Sequence, residues 1–260
     1  VSISVVRKSA PTCERQLGDF IRDDFIIMVM IASMLTIASR CWLCQQPLHI
    51  ARHGLCNLCI RHFPPLPLCC PRCGLPSGSA LQSCGRCLIK PPAWQSLIFA
   101  GVYLPPLSTL LLRLKFSSTP ELAEPLARLL LLRWLERWRD GNVVRPNTIL
   151  SVPLHLHRHR QRGYNQAELL ARPLARWLGC EYLPYALERC RATPPQQQLS
   201  ETERKLNLKR AFCCKQDLEG KHIALIDDVV TTGSTISEVS KILNKNNIAS
   251  LQVWCICRTL

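Results

Sequence analysis

Between Ile223 and Thr235 the chain reads IALIDDVVTTGST: apolar residues run into two adjacent aspartates, and a hydroxyl-rich loop follows. Two neighbouring carboxylates suit a cation or the hydroxyls of a sugar. A Thr-Thr-Gly-Ser-Thr loop that opens a helix offers successive backbone N–H groups and hydroxyls to an anion. Gly233 lets a phosphate come close to the backbone. The combination fits a sugar phosphate, with Asp227 and Asp228 on the hydroxyls and the loop on the phosphate. In an open α/β sheet such residues belong at the C-terminal end of a parallel strand, so the strand is expected to end at the aspartates. An apolar strand closing on Asp-Asp is also the Mg²⁺-side strand of P-loop ATPases. That site needs a G-x-x-x-x-G-K-[ST] loop, which this chain lacks. The plainer alternative is a strand, an acidic turn and a capped helix with no ligand.

A second constellation is made of thiols. Nine of the sixteen cysteines lie between Cys41 and Cys87, eight of them as Cys-x-x-Cys pairs: Cys41/Cys44, Cys56/Cys59, Cys70/Cys73 and Cys84/Cys87. Eleven residues separate the first two pairs and ten the last two, as in a four-cysteine zinc ribbon repeated once. Gly54, Gly74 and Gly85 stand beside the pairs, where tight turns are needed. Two structural zinc ions are expected, each with a full thiolate set and no open position for catalysis. Disulfides, an iron–sulfur cluster and crossed ligation between pairs one and three remain alternatives. Cys69 adjoins Cys70, but the spacing favours Cys70. His49, His53 and His62 read as surface or turn residues. Cys180, Cys190, Cys213, Cys214, Cys255 and Cys257 fall in or beside apolar segments and read as small buried hydrophobes.

The elements that must carry these residues divide the chain in three. Residues 1–33 hold little beyond the apolar run FIIMVMIASMLTIA that starts at Phe25 and continues to Ala38. Residues 34–90 are dense in Cys, Pro and Gly and need staples beyond hydrophobic burial to fold. In residues 91–260 strand-like and helix-like segments alternate, which predicts an α/β domain with a parallel-sheet core flanked by helices. Strands are expected at Leu97–Leu104, Asn147–Val152, the HIALI segment after Gly220, and SLQVWCIC at the end. Helices are expected from Thr119-Pro120-Glu121 to near Gly141, over Ala167–Leu178, and from about Ser234. Ile236, Val239, Ile242 and Leu243 share one face of the last helix.

With 47% apolar residues in 260, the chain can bury a real core. Lys and Arg number 33 against 18 acids, a formal +15 that points to a polyanionic partner, nucleic acid or a phosphate-rich small molecule. Two zinc ions on eight thiolates would lower this to roughly +11. The apolar run near the N-terminus is about fourteen residues, short for a bilayer span, and Asp19, Asp23 and Asp24 precede it. Stable membrane insertion is therefore not expected, Met34 is read as the native start, and the location is read as cytoplasmic.

IALIDDVVTTGST resembles the phosphoribosyl pyrophosphate (PRPP) motif of type I phosphoribosyltransferases along its whole length. The resemblance implies that Asp227 and Asp228 contact the ribose hydroxyls. It places the 5′-phosphate on Thr231, Thr232, Gly233, Ser234 and Thr235, after Val229 and Val230. Two more segments fit. SVPLHLHRHRQRGYNQAELLARPLA, from Ser151, corresponds to the pyrophosphate loop, with Arg162, Gly163, Tyr164 and Asn165 at its tip. RCRATPPQQQLSETERKLNLKRAF, from Arg189, corresponds to the flexible catalytic loop. There Arg191, Thr193, Gln196, Arg204, Asn207 and Lys209 take the family's positions. Two ribbons, LLLRLKF, RGYNQAE, TPPQQQLSETER and the PRPP motif, in that order, resemble the ComF/GntX family from about Met34 to Leu260.

That resemblance implies a type I phosphoribosyltransferase fold behind a small double zinc ribbon, with Mg²⁺ entering together with PRPP. Asp227 and Asp228 would steady an oxocarbenium-like centre, and Arg162 and Arg204 the departing pyrophosphate. A non-catalytic alternative uses the ribbons and the basic loops on single-stranded DNA or DNA-uptake proteins, and is compatible with an oligomer. Stacking platforms are scarce in the ribbons, with only Trp42 and Phe63.

Overall fold

The described residues of the computed structural model, 39–154, 160–190 and 211–260, build a parallel sheet from the apolar runs of the sequence. β1 (Ser96–Val102), β2 (Thr148–Ser151) and β3 (Glu181–Tyr182) come first in the chain. β4 (Leu187–Arg189) and β5 (Phe212–Cys214) pair antiparallel in a small separate sheet. β6 (His222–Val230) and β7 (Ser250–Arg258) complete the main sheet, ordered β1-β7-β6-β2-β3 with every pairing parallel. The central strands are nearly continuous in apolar residues because both faces of the sheet are covered.

The short helices α1 (Asn57–Arg61) and α2 (Gly85–Ile89) belong to the cysteine-rich segment. α3 (Leu107–Phe116), α4 (Ala123–Arg139) and α5 (Gln166–Leu178) supply one layer over the sheet, and α6 (Ser234–Asn244) covers the other face. Pleating sorts the strand residues between two cores. Ala224, Ile226, Trp254 and Ile256 pack with α3, α4 and α5. Ile223, Leu225, Val253 and Cys255 pack with Ile236, Val239 and Leu243 of α6. The fold class expected from the sequence, a parallel sheet flanked by helices behind two four-cysteine clusters, is the one observed.

Several boundaries differ from the sequence reading. Pro120 opens a 3₁₀ turn, Pro120–Leu122, that runs into α4 rather than starting the α-helix itself. α3 has no counterpart among the expected helices, although Leu107, Leu110, Leu111 and Leu114 make its buried stripe. β6 continues past the aspartates: Val229 pairs with Cys257 and Val230 with Arg258. The carboxylates are thus residues of the strand itself, held by ladder bonds, and the loop begins at Thr231. Cys190, exposed just after β4, and Cys213, half-buried in β5, both read as buried hydrophobes, are joined as a disulfide. Cys255 and Cys257 are buried as expected.

Residues Arg40–Leu260 form one compact unit. The first cysteine cluster packs on the α3 and α4 side, where Cys41 and Leu55 join that core. The second lies against β1, with the Leu97 N–H donating to Pro71 O at 3.0 Å. No helix among the described residues is long and apolar enough to cross a membrane.

Candidate functional site

The pleat also separates the two aspartates. Asp228 follows the parity of Ile226 and faces α3, where its Oδ2 meets Lys115 Nζ at 3.0 Å. Asp227 follows Leu225 and stands opposite Cys255 in the register. The Asp228 N–H donates to Asp227 Oδ1 at 2.8 Å. Burial, and then the neighbouring Asp228 charge, push the Asp227 carboxyl up to about 8 against the pull of that N–H and of Lys115. Asp228 is therefore paired with a lysine, while Asp227 is pushed toward its neutral form.

Beyond the strand, Thr231 and Thr232 are exposed and Gly233 has φ +77°, a left-handed conformation that favours glycine. Thr232 Oγ1 lies 2.8 Å from Ser234 Oγ, and α6 starts at Ser234. The N-terminal N–H groups of an eleven-residue helix thus face the loop beside the two carboxylates.

β2 neighbours β6, and the Val152 N–H donates to Ile226 O at 2.9 Å, so the segment after β2 emerges at the same sheet edge. Asn165 caps α5 by accepting from the Ala167 N–H and donates to Val152 O at 3.0 Å. Tyr164 Oη donates to Leu114 O at 2.6 Å, one residue before Lys115. Arg162 donates to Gln166 Oε1 at 3.0 Å and stacks on Phe116, 4.8 Å from the ring centre. Gly163, with φ +77°, makes the bend between them. The Arg162–Asn165 loop, α3 and the end of β6 are thereby brought together. Arg191, Thr193, Gln196, Arg204, Asn207 and Lys209 lie outside the described residues.

Sequence reasoning missed three residues at this edge. Lys115 is one polar position beside a leucine stripe. Gln166 is 1% exposed and, among the described residues, its Nε2 has no partner. Arg258 is 5% exposed at the end of β7 and donates to Val230 O at 3.0 Å and to Thr231 O. Arg258 carries one signal, a cation closing a largely apolar run; Lys115 shares its segment with Arg113 and is singled out only by the fold.

The cysteines form two clusters in sequential order, Cys41/Cys44/Cys56/Cys59 and Cys70/Cys73/Cys84/Cys87, with the sulfurs of each within 4.8 Å of one another. Cys69 is outside both. Sulfur separations of 3.7 Å for Cys44–Cys56 and 3.8 Å for Cys73–Cys84 match a zinc tetrahedron, whose bonds of about 2.3 Å give edges of about 3.8 Å. Burial raises the Cys41 and Cys70 thiols, but backbone N–H groups of each knuckle and of Cys56 or Cys84 outweigh it and bring both to about 6. Burial and neighbouring thiols push Cys59 and Cys87 upward. Two four-thiol sets of this shape suit zinc as closed structural sites.

A groove of about 1420 Å³ adjoins the Thr231–Thr235 loop. Arg86, Lys90, Lys241 and Lys245 line it together with Thr232 and Ser234.

No family model matches the chain. It is 48% identical over 227 residues to the DNA utilization protein YhgH of Shigella flexneri, covering 87% of this chain and 100% of that protein. It is 40% identical over 222 residues to competence protein F of Haemophilus influenzae, covering 84% and 96%. Among solved structures, the purine phosphoribosyltransferase of Pyrococcus horikoshii is similar at a TM-score of 0.31 and 16% identity, over 62% of this chain and 90% of that one.

Proposed function

The chain belongs to the ComF/GntX family of DNA utilization and competence proteins, and we propose that it binds PRPP and transfers the phosphoribosyl group with release of pyrophosphate. The observation that carries this reading is the meeting of three parts at one sheet edge: the Asp227–Asp228 strand end, the Thr231–Thr235 loop opening α6, and the Arg162–Asn165 loop. In this assignment Thr231–Thr235 hold the 5′-phosphate and Asp227 and Asp228 accept the ribose hydroxyls.

The bond from C1 to pyrophosphate oxygen breaks with its electron pair leaving on pyrophosphate, and an acceptor nucleophile attacks C1. The sugar passes through an oxocarbenium-like state, which the two carboxylates stabilise from below. Lys115 pairs with Asp228 and holds it in place. Arg162 offsets charge on the leaving group, a role the family resemblance also implies for Arg204. Asp227 and Asp228 at the strand end would suit Mg²⁺, which would offset the negative charge of the bound PRPP. Zinc on the eight cysteines is structural in this account, and the protein acts in the cytoplasm in the use of external DNA.

The test is Mg²⁺-dependent release of pyrophosphate from PRPP when nitrogen nucleophiles are supplied. Release that needs the acceptor supports transfer; PRPP bound but never cleaved with any acceptor leaves a binding protein. The basic groove beside Thr232 favours that second reading, in which single-stranded DNA or a DNA-uptake protein is held. Affinity for single-stranded DNA then falls as salt rises.

A further inference from the structure

The end of β7 and the second cysteine cluster meet in one buried cation. The Arg258 guanidinium donates Nε–H to Cys73 O at 3.0 Å, and its two Nη1 hydrogens are shared among Val230 O, Thr231 O and, at 2.7 Å, Thr259 O. Cys73 belongs to the metal-type knuckle, Val230 ends β6, and Thr231 begins the phosphate-type loop. At 5% exposure, a charge satisfied by carbonyl oxygens is costly to rearrange, since any lost bond leaves a buried polar group unpaired. Knuckle and loop are held in one geometry.

A second contact joins the same two parts. Trp94 Nε1 donates to Arg72 O at 2.7 Å, and Arg72 Nε donates back to Trp94 O at 3.2 Å. The far edge of the Trp94 ring lies 3.6 Å from where a Cβ on Gly233 would stand. Gly74, with φ +71°, closes the knuckle so tightly on β1 that a Cβ there would lie 2.9 Å from Leu97. The first cluster has different neighbours: its Trp42 carbonyl accepts from Arg113 of α3 at 3.4 Å. Among the described residues no hydrogen bond runs from it to residues 230–235.

We propose that Arg258 is a positioning residue through which the second cluster and the phosphate-type loop support each other. Metal that fixes the Cys70–Cys73 knuckle fixes Thr231, and an anion that fixes the loop secures the knuckle. This rests on the sugar-phosphate reading of Thr231–Thr235. Coupling of this kind is reciprocal, so PRPP must tighten metal at the second cluster as much as that metal tightens PRPP.

The experiment is pulsed cysteine alkylation of the zinc-loaded full chain, with peptide mapping, with and without saturating PRPP and Mg²⁺. Calorimetry run in parallel records PRPP uptake. The expected result is that PRPP slows alkylation of Cys70, Cys73, Cys84 and Cys87 by about fivefold or more. Cys41, Cys44, Cys56 and Cys59 should change by less than about twofold. Arg258→Gln should abolish the difference between clusters, and Arg258→Lys, which keeps the charge, should restore part of it. PRPP heat with no slowing at either cluster, or equal slowing at both, overturns the coupling and leaves the loop assignment standing. Absence of PRPP heat in the zinc-loaded wild type overturns the loop assignment and the coupling with it.

Discussion

Lys115 Nζ lies 3.0 Å from Asp228 Oδ2, with each side chain 17% exposed, so a helix laid down early in the chain supplies the counter-charge for the acidic strand end. Two adjacent carboxylates at a sheet edge repel one another; this lysine pairs with Asp228, while burial and the Asp228 charge drive Asp227 toward its neutral form. Lys115→Met leaves Asp228 without its cation in a half-buried place. It should lower stability by about 1–2 kcal/mol, read from denaturant midpoints, with Lys115→Arg keeping most of the loss from appearing. Unchanged midpoints in Lys115→Met contradict a structural share for the pair.

Acidity gives a second expectation. The Asp227 carboxyl sits at about 8, above its ordinary value of 3.8, so the folded chain holds this proton more tightly than the unfolded chain. The free protein should therefore lose stability as pH rises from about 4 to about 8 and then level off. Binding of Mg²⁺ and PRPP has the opposite slope, because the cation competes with the proton. Affinity should rise by up to about tenfold per pH unit and flatten near pH 8, with about one proton released per ligand at pH 7. Titration in buffers of different ionisation enthalpy measures the proton count, and Asp227→Asn should remove it.

Metal analysis of the purified chain should find two zinc ions, and a strong chelator should expose the cysteines of both clusters to thiol reagents. Because the first cluster packs on the α3 and α4 side and the second against β1, metal loss should also lower the melting temperature of the whole unit. Much less than two equivalents of zinc contradicts the assignment.

Gly233 has φ +77°, and an added Cβ meets the Trp94 ring at an ordinary 3.6 Å. Backbone strain rather than crowding therefore decides Gly233→Ala, which should cost about 1 kcal/mol of stability. PRPP affinity should fall by more than that stability change accounts for, since the loop N–H groups are re-aimed. Equal affinity in the variant argues against a phosphate on this loop.

Much of this was legible in the residues. Near-continuous apolar runs located β6 and β7, and a 3.6-residue pattern located α6. The Cys-x-x-Cys spacing gave both ligand sets, because the two halves of a ribbon lie close in the chain. What local pattern could not show was partnership across the fold. Lys115 meets Asp228, Arg258 meets Cys73 and Cys190 meets Cys213 only once the sheet order is known. The end of β6 was misplaced for a similar reason: Asp and Val were read by type, while ladder bonds to β7 carry the strand on to Val230.

The account turns on whether Asp227 and Asp228 form a PRPP site, and calorimetry of PRPP with Mg²⁺ on the wild type and on Asp227→Asn/Asp228→Asn tests it most directly. The prediction is one PRPP per chain in the wild type and affinity weakened by about a hundredfold or more in the double variant, as expected when hydrogen bonds to charged groups are lost. No heat in the wild type, or equal binding by the two proteins, would contradict the account.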